Sequence, residues 1–344
     1  MKKRHFFQRI LLMLADMYGL YISLLLILWL ISGERFFLVN MFVSLMPGIF
    51  YFIPIVVLMT LWLRSRHTAL LLLMPIIAFS ILYMPALMPR TIADSDGTRL
   101  SLLTYNLRAS NINTEALDTI LSEADADIVS LQEVSFEIGE HVENQWIDDY
   151  PYQIRFTVED ESPDYADELL LLVSDVSQYA GRMILSRYPI VDDEIVLSSV
   201  GTTLYVRAEL DINGRNLTVY NVHLPPPLPG KSIFTTIARH QGLLTILESI
   251  ESDDVILMGD FNMTDQSGDY HLISGQYTDV FRTVQSGLGT TWANGNNLSP
   301  MLSFLPSVIR IDYMFVSESI SPQSAQVIYS GVSDHYPLYA EISH

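Results

Sequence analysis

The sequence predicts an α/β domain set behind an all-α transmembrane region of three helices. Three observations carry that expectation. Residues 1–89 contain three long apolar runs. From Arg99 onward, short apolar runs alternate with helix-length amphipathic stretches and turn signals. Most of those short runs stop on a carboxylate, an amide or an imidazole.

The apolar runs come first. Residues 10–32 carry one acid, Asp16. Residues 36–63 carry no charge and are interrupted by Pro47, Gly48 and Pro54. Residues 68–89 form the third run. Each approaches the ~20 residues a helix needs to cross a hydrocarbon core. Proline is tolerated there because neighbouring helices satisfy the freed backbone groups. A signal peptide followed by core helices is the competing reading, and three consecutive runs exceed a signal peptide's pattern.

Orientation follows from the basic residues. Lys2, Lys3, Arg4 and Arg9 precede the first run, and Arg64 and Arg66 separate the second from the third. The first loop holds only Glu34 and Arg35. The positive-inside tendency then places the N-terminus in the cytoplasm and everything after about residue 90 outside. The expectation is an integral protein of the cell membrane with an extracytoplasmic domain.

Residues 90–98 read as a linker, and the domain occupies 99–344. Leu100–Tyr105 reads as a strand ending on Asn106. Thr114–Glu123 reads as a helix capped by Asn113. Asp127–Leu131 is a strand running into Gln132-Glu133, and residues 135–168 read as acidic and partly loop-like. Leu169–Val173 and Met183–Leu185 read as strands. Leu204–Leu210 and Leu217–Val222 form a hairpin across Asn213-Gly214, a two-residue turn signal. An amphipathic helix over 232–250 follows the proline-rich loop 225–229. Asp254–Met258 is a strand, Gln276–Val284 reads as helical, and Ile311–Val316, Gln326–Tyr329 and Pro337–Ile342 are late strands.

Charge is divided unevenly. Residues 1–89 hold seven Lys/Arg and two acids, net +5, so residues 90–344 carry −25 of the chain's overall −20. Lys231 is the only lysine in that second part. Non-specific nucleic-acid binding depends on Lys and Arg neutralising phosphates, so this balance weighs against a general nuclease. A small or lipid-borne phosphoester met at a metal site is not affected. With no cysteine, disulfides, thiolate metal sites and cysteine nucleophiles are excluded.

The polar strand ends are the chemistry. They are Asn106, Glu133, His223, Asp260 with Asn262, Asp312, and Asp334 with His335. Val255–Met258 is an apolar run stopping on Gly259-Asp260-Phe261-Asn262. Asp260 and Asn262 are two apart, so extended backbone puts both on one side. Oxygen donors of this kind suit a hard cation such as Mg²⁺ or Mn²⁺. Plainer readings exist: Asn106 and Asn262 as turn formers, Asp312 as a partner of Arg310, His223 as a buried histidine, and Arg182 as a surface residue. His141, His240 and His271 read as ordinary. Trp292 and the 225–229 loop read as pocket walls or bilayer contacts, and Glu159–Glu168 as a solvated loop.

Six segments occur in a telling order: Leu103-Thr104-Tyr105-Asn106, Leu131-Gln132-Glu133, Asn221-Val222-His223-Leu224, Gly259-Asp260-Phe261-Asn262, Arg310-Ile311-Asp312 and Ser333-Asp334-His335-Tyr336-Pro337. Over residues 99–344 the sequence resembles the endonuclease/exonuclease/phosphatase superfamily, which includes deoxyribonucleases, abasic-site endonucleases, inositol polyphosphate phosphatases and neutral sphingomyelinases. With its apolar runs the whole resembles bacterial membrane proteins of the vancomycin/teicoplanin-resistance type. The superfamily resemblance implies a four-layer α/β/β/α sandwich. It implies Glu133 as main Mg²⁺ ligand with Asn106 beside it and Asp260 close to the metal. Asp260 would orient or deprotonate water, and Asn262 would hold a phosphate oxygen. His335 would contact phosphate with its ring fixed by Asp312 or Asp334, and His223 would be a second phosphate-facing imidazole.

The expected function is a membrane-anchored, Mg²⁺-dependent phosphoesterase. Its partners would be the lipid bilayer and a phosphate ester, plausibly lipid-linked because tethering concentrates the site near headgroups. The alternatives are an extracellular metal-dependent nuclease and a non-catalytic binding domain of the same fold.

Overall fold

The structure is a computed structural model. It describes residues 2–92, 95, 97–108, 113–157, 181–197, 203–226, 232–294, 307–329 and 333–344. The expected strand 169–173 and the acidic run 159–168 lie outside the described residues.

The N-terminal quarter is helical. Helix α1 (Lys2–Ser32) contains one apolar stretch long enough to cross a membrane, Phe6–Ser32. The second apolar run is not one straight helix. It divides into α2 (Phe37–Phe50) and α3 (Ile53–Leu63), bent by 59°. The cause is Pro54, which lacks an N–H and whose ring would clash with the carbonyl four residues back, at Phe50. The third run behaves alike. Helix α4 (Arg66–Leu71) stops four residues before Pro75, and α5 (Leu73–Tyr83) passes into a 3₁₀ turn at Met84–Leu87 beside Pro85. Its apolar helical part, Leu73–Leu87, falls short of spanning length. Three runs therefore yield one long apolar helix, or two with the bent pair taken as one span, and the expectation of three full spans is corrected.

These helices bury Ile22, Leu25, Phe42, Val43, Met46 and Phe50 among themselves. They leave Met17, Leu20, Leu24, Leu30, Ile31, Leu58 and Trp62 more than half exposed. An apolar surface of that extent marks a lipid or protein contact.

The rest is a sandwich. Strands β1 (Arg99–Asn106), β2 (Ile128–Gln132), β3 (Tyr152–Phe156), β4 (Arg182–Ser186), β11 (Ser321–Val327) and β12 (Leu338–Ser343) form one sheet, in the order β11-β12-β1-β2-β4-β3. Strands β5 (Ile190–Leu197), β6 (Thr203–Ile212), β7 (Arg215–His223), β8 (Val255–Asp260), β9 (Thr278–Asp279) and β10 (Asp312–Val316) form the other, in the order β5-β6-β7-β8-β10-β9. Among the described residues, only β1–β2 and β7–β8 pair in parallel, each pair joined through a helix.

Alternation along the strands separates the layers. Leu100, Leu102, Ile128, Ile184, Val206, Ala208, Val219, Ile256, Met258 and Met314 meet between the sheets. The opposite faces bury Leu103, Val129 and Leu131 under α6 (Thr114–Ala124) and α7 (Phe136–Gln145). They bury Tyr220, Leu257 and Phe315 under α8 (Ser232–Glu248) and α9 (Gly268–Ser274). A last short helix, α10 (Val280–Val284), adds Val280, Phe281 and Val284 to the central core. The α/β/β/α arrangement is as expected. Local signals also hold: Asn113 accepts from the Glu115 and Ala116 amides, and Asn213 takes φ 57° in the hairpin turn.

Candidate active site

Strand register assembles the site. In one sheet Asn106 stands opposite Gln132, and Glu133 follows at once. In the other, Asp260 stands opposite both His223 and Asp312 on its two flanking strands. His335 enters just before β12. Residues spread over more than two hundred positions thus reach one edge of the sandwich.

Backbone geometry shapes the turns there. Glu133 and Asn262 adopt left-handed φ of 51° and 49°. Non-glycine residues in that region carry strain that surrounding structure must hold. Gly259 has φ 146°, and a Cβ there would lie 1.9 Å from the Val222 carbonyl oxygen. The glycine lets β8 lie against β7 so that Asp260 reaches His223.

Asp260 is the hub, 1% exposed. Its Oδ2 accepts from Asn106 Nδ2 at 2.9 Å and Asn262 Nδ2 at 3.1 Å, and its Oδ1 accepts from the Asn262 backbone amide at 2.8 Å. The Asn106 amide also donates to Glu133 Oε1 at 3.1 Å, so one carboxamide bridges both acids. His223 Nε2 lies 3.5 Å from Glu133 Oε1 and 3.6 Å from Asp260 Oδ2. His335 Nε2 lies 3.8 Å from Asp260 Oδ2.

The open choice at His335 is resolved by geometry. Its Nδ1 meets Asp312 Oδ2 at 2.9 Å. Asp312 is itself fixed on its backbone amide by Thr291 Oγ1 at 3.2 Å. Asp334 turns elsewhere: its Oδ2 accepts from Trp292 Nε1 at 3.3 Å and lies 3.8 Å from Arg108 Nε. The alternative pairing of Asp312 with Arg310 does not form, since Arg310 is bound to Asp279 at 2.6 Å. Asn262 donates both amide N–H groups, to Asp260 and to the Leu224 carbonyl at 2.8 Å. Binding a phosphate oxygen would require it to release one of them.

Electrostatics separates the groups. Burial pushes the Glu133 carboxyl up to about 6 even though Asn106 opposes it. Burial also raises Asp260 well above the carboxylate range against the pull of His335. Burial would lower His335, but Asp312 and Asp260 outweigh it and hold the imidazolium up to about 10. His223 goes the other way, held well below 6.5 by burial and then by the charges of Arg182 and His335. The site thus pairs one charged and one neutral imidazole with acids that resist ionising together.

That last feature is the test for a cation. Glu133, His223 and Asp260 form one group able to hold a metal ion, and Asp260, Asp312 and His335 form another. The oxygens of Glu133, Asp260 and Asn106 make a hard-donor set, and a bound cation would relieve the stacking of buried carboxylates. The residues fit a divalent metal.

Several contributors were not evident in the sequence. Arg182, expected at the surface, is 2% exposed and donates to the His223 carbonyl at 3.0 Å. Asn221 donates to the Leu131 and Met183 carbonyls, and its Oδ1 accepts from Gln132 Nε2 at 2.9 Å, which ties the sheets together beneath the site. Arg239 donates to the Asn262 carbonyl at 2.9 Å. Arg239 is the one Lys or Arg on a helix with a single acid, Glu248, a pattern that does not reveal its partners. The plain readings of His141 and His240 hold, since they pair with Asp118 and Asp269.

The Endonuclease/Exonuclease/phosphatase family profile matches residues 103–335, which contain every residue named above as catalytic or metal-binding. The chain belongs to this family. Membership places the domain among divalent-metal-dependent hydrolases of phosphate esters. No curated protein matches the chain. Solved structures agree on the fold. D. rerio TDP2 humanised by 14 mutations is 17% identical with TM-score 0.54, covering 72% of this chain and 99% of that one. Sphingomyelinase C from Streptomyces griseocarneus is 18% identical with TM-score 0.50, covering 71% and 99%. An endonuclease/exonuclease/phosphatase from Beutenbergia cavernae is 17% identical with TM-score 0.56, covering 71% of each. At these identities they show the fold alone. The vancomycin/teicoplanin-resistance resemblance rests on three spans, which the helical region does not form.

Proposed function

We propose that this chain is a membrane-anchored, Mg²⁺-dependent phosphoesterase that hydrolyses a lipid-linked phosphate ester by in-line attack of water. The observation that carries the chemistry is Asp260, buried between the Asn106 and Asn262 amides and facing the His223 and His335 imidazoles. Glu133, Asp260 and Asn106 would hold the cation, with Mn²⁺ a possible substitute. When bound, it would neutralise phosphate charge and acidify water. Asp260 Oδ2, raised by burial, orients the attacking water and accepts its proton. His335, braced at Nδ1 by Asp312, directs its Nε2–H to a non-bridging oxygen. His223 offers a neutral imidazole to the phosphate or leaving group.

The lipid link is supported by where the helical region sits. Thr264, two residues past Asn262, donates to the Val43 carbonyl at 3.2 Å. Gly287 donates to the Ala86 carbonyl at 2.8 Å, and Leu288 packs into the helical core. Four residues on, Trp292 bridges to His335. Both segments flanking the site therefore rest on the apolar helices. With the N-terminus cytoplasmic and α1 as the single crossing, the first loop and residue 90 fall on one side, outside, and both regions touch the catalytic domain. Full-length protein in lipid with Mg²⁺ should release phosphate or headgroup from a phospholipid, a sphingomyelin-like lipid or an isoprenoid pyrophosphate, and Asp260→Ala should abolish release. Inactivity on all three removes the lipid reading. The −25 charge of residues 90–344 disfavours nucleic acid. Plasmid nicking as fast as lipid hydrolysis would restore the nuclease reading, and failure to bind Mg²⁺ or Mn²⁺ would favour a non-catalytic domain.

A further inference from the structure

The loop between α1 and α2 does more than connect two helices. Glu34 leaves it and enters the catalytic domain. Its Oε1 accepts from the Gly268 amide at 2.6 Å, and its Oε2 lies 3.8 Å from Arg239 Nη2. Asn40, buried on α2, donates to the same Oε2 at 3.3 Å and fixes the carboxylate from the helical side.

Arg239 is the next link. It is 1% exposed on α8. Its Nε donates to Asp269 at 2.9 Å and its Nη1 to the Asn262 backbone carbonyl at 2.9 Å. The guanidinium's rigid fork fixes where these two oxygens sit relative to one another, with the Glu34 carboxylate 3.8 Å from its Nη2. Asn262 is the strained residue that supplies both a backbone and a side-chain hydrogen bond to Asp260. A left-handed asparagine persists only while its surroundings hold it. Arg239 holds it by the carbonyl, and Glu34 holds Arg239.

We propose that Glu34 is a positioning residue of the active site: through Arg239 and the Gly268 amide, the first helical loop sets the Asn262 backbone and with it the Asp260 carboxylate. A catalytic activity that rests on the phosphoesterase reading thereby becomes dependent on how the helical region is seated. Displacing α1 against α2 would withdraw the carboxylate from an otherwise buried arginine. That arginine would keep Asp269, itself shared with His240 Nδ1 at 2.7 Å, as its remaining acid.

The test uses the full-length protein in lipid nanodiscs, comparing wild type with Glu34→Gln and Glu34→Ala. Glutamine keeps an acceptor for Gly268 and loses the charge; alanine loses both. Amide hydrogen exchange is read over residues 261–268 and over β8. Turnover is read on bis(p-nitrophenyl) phosphate with Mg²⁺. Alanine should raise exchange at 261–268 and lower kcat, each about tenfold, at unchanged KM, because a misplaced catalytic group slows chemistry without weakening binding. Glutamine should fall between, and exchange in β8 should not change. Wild-type exchange at 261–268 in the alanine variant overturns the proposal, as does a loss confined to KM or an equal rise across β8. If wild type hydrolyses neither this diester nor any of the three lipids, the phosphoesterase reading falls, and the exchange comparison still decides the role of Glu34.

Discussion

Asp312 meets the Nδ1 of His335 and thereby decides what His335 can do. Its carboxylate holds Nδ1 at 2.9 Å, which turns Nε2 toward Asp260. Asp312→Asn keeps the shape and loses the charge. It should lower turnover about 100-fold, within the range for a catalytic group that loses its orienting partner. Steady-state kinetics beside a thermal melt would separate this from unfolding. Glu133 and Asp260 yield a second prediction. Two buried acids in one site oppose each other until a cation joins them. Added Mg²⁺ should raise the melting temperature of the wild type, since a ligand that binds only the native state stabilises it by mass action. EDTA should reverse the rise. Glu133→Gln should melt higher than wild type without metal and gain little from adding it; a full Mg²⁺ response in that variant would remove Glu133 from the ligand set.

Among elements, the end of β8 bears a tight backbone constraint. Gly259→Ala would drive a Cβ to 1.9 Å from the Val222 oxygen at a φ alanine rarely adopts. It should cost about 3–5 kcal/mol, the scale of a clash with backbone that cannot move, and show as a large drop in melting temperature. Elsewhere Arg310 and Asp279 form a buried pair linking β9 to β10. Burial would raise Asp279, but Arg310 outweighs it and, with Arg282, holds the carboxyl below its ordinary 3.8. A depressed folded value stabilises above the unfolded one. The contribution should be complete at pH 5–7 and fade as pH falls below about 4. Asp279→Asn should therefore lose stability at neutral pH and show a flatter acid limb in melts across pH 3–7. Element by element, the sequence was readable where one face is buried and the other polar, as in the 204–222 hairpin and the helix at 114–124. Strand β5 escaped because Val191–Glu194 are exposed and mostly acidic, so no alternation marks an edge strand. Helix α7 and strand β3 fall within the stretch 135–168, whose many acids made it read as partly loop-like. The site was legible because its residues end apolar strands. Arg182 and Arg239 were not, because a buried arginine is defined by partners that only the fold brings near.

At the scale of the molecule, composition revealed an apolar N-terminal quarter and an acidic remainder, and it gave no hint that they interlock. Contacts at Glu34, Val43, Gly48 and Ala86 join four points of the helical region to Gly268, Thr264, Val308 and Gly287. These lie on the two segments that lead to Asn262 and His335. The central core between the sheets includes nothing from residues 1–89, so a fragment of 99–344 should still fold. Its active-site rim would be altered, with Leu288 uncovered and Arg239 lacking Glu34. Such a fragment should therefore melt lower than the full chain and turn over a soluble phosphodiester about tenfold more slowly, a loss of positioning rather than of catalytic groups. If the helices served only as a tether, the fragment would match the full chain on a soluble substrate and differ only on lipid. Assaying both proteins on both substrates distinguishes an anchor from a structural part of the enzyme.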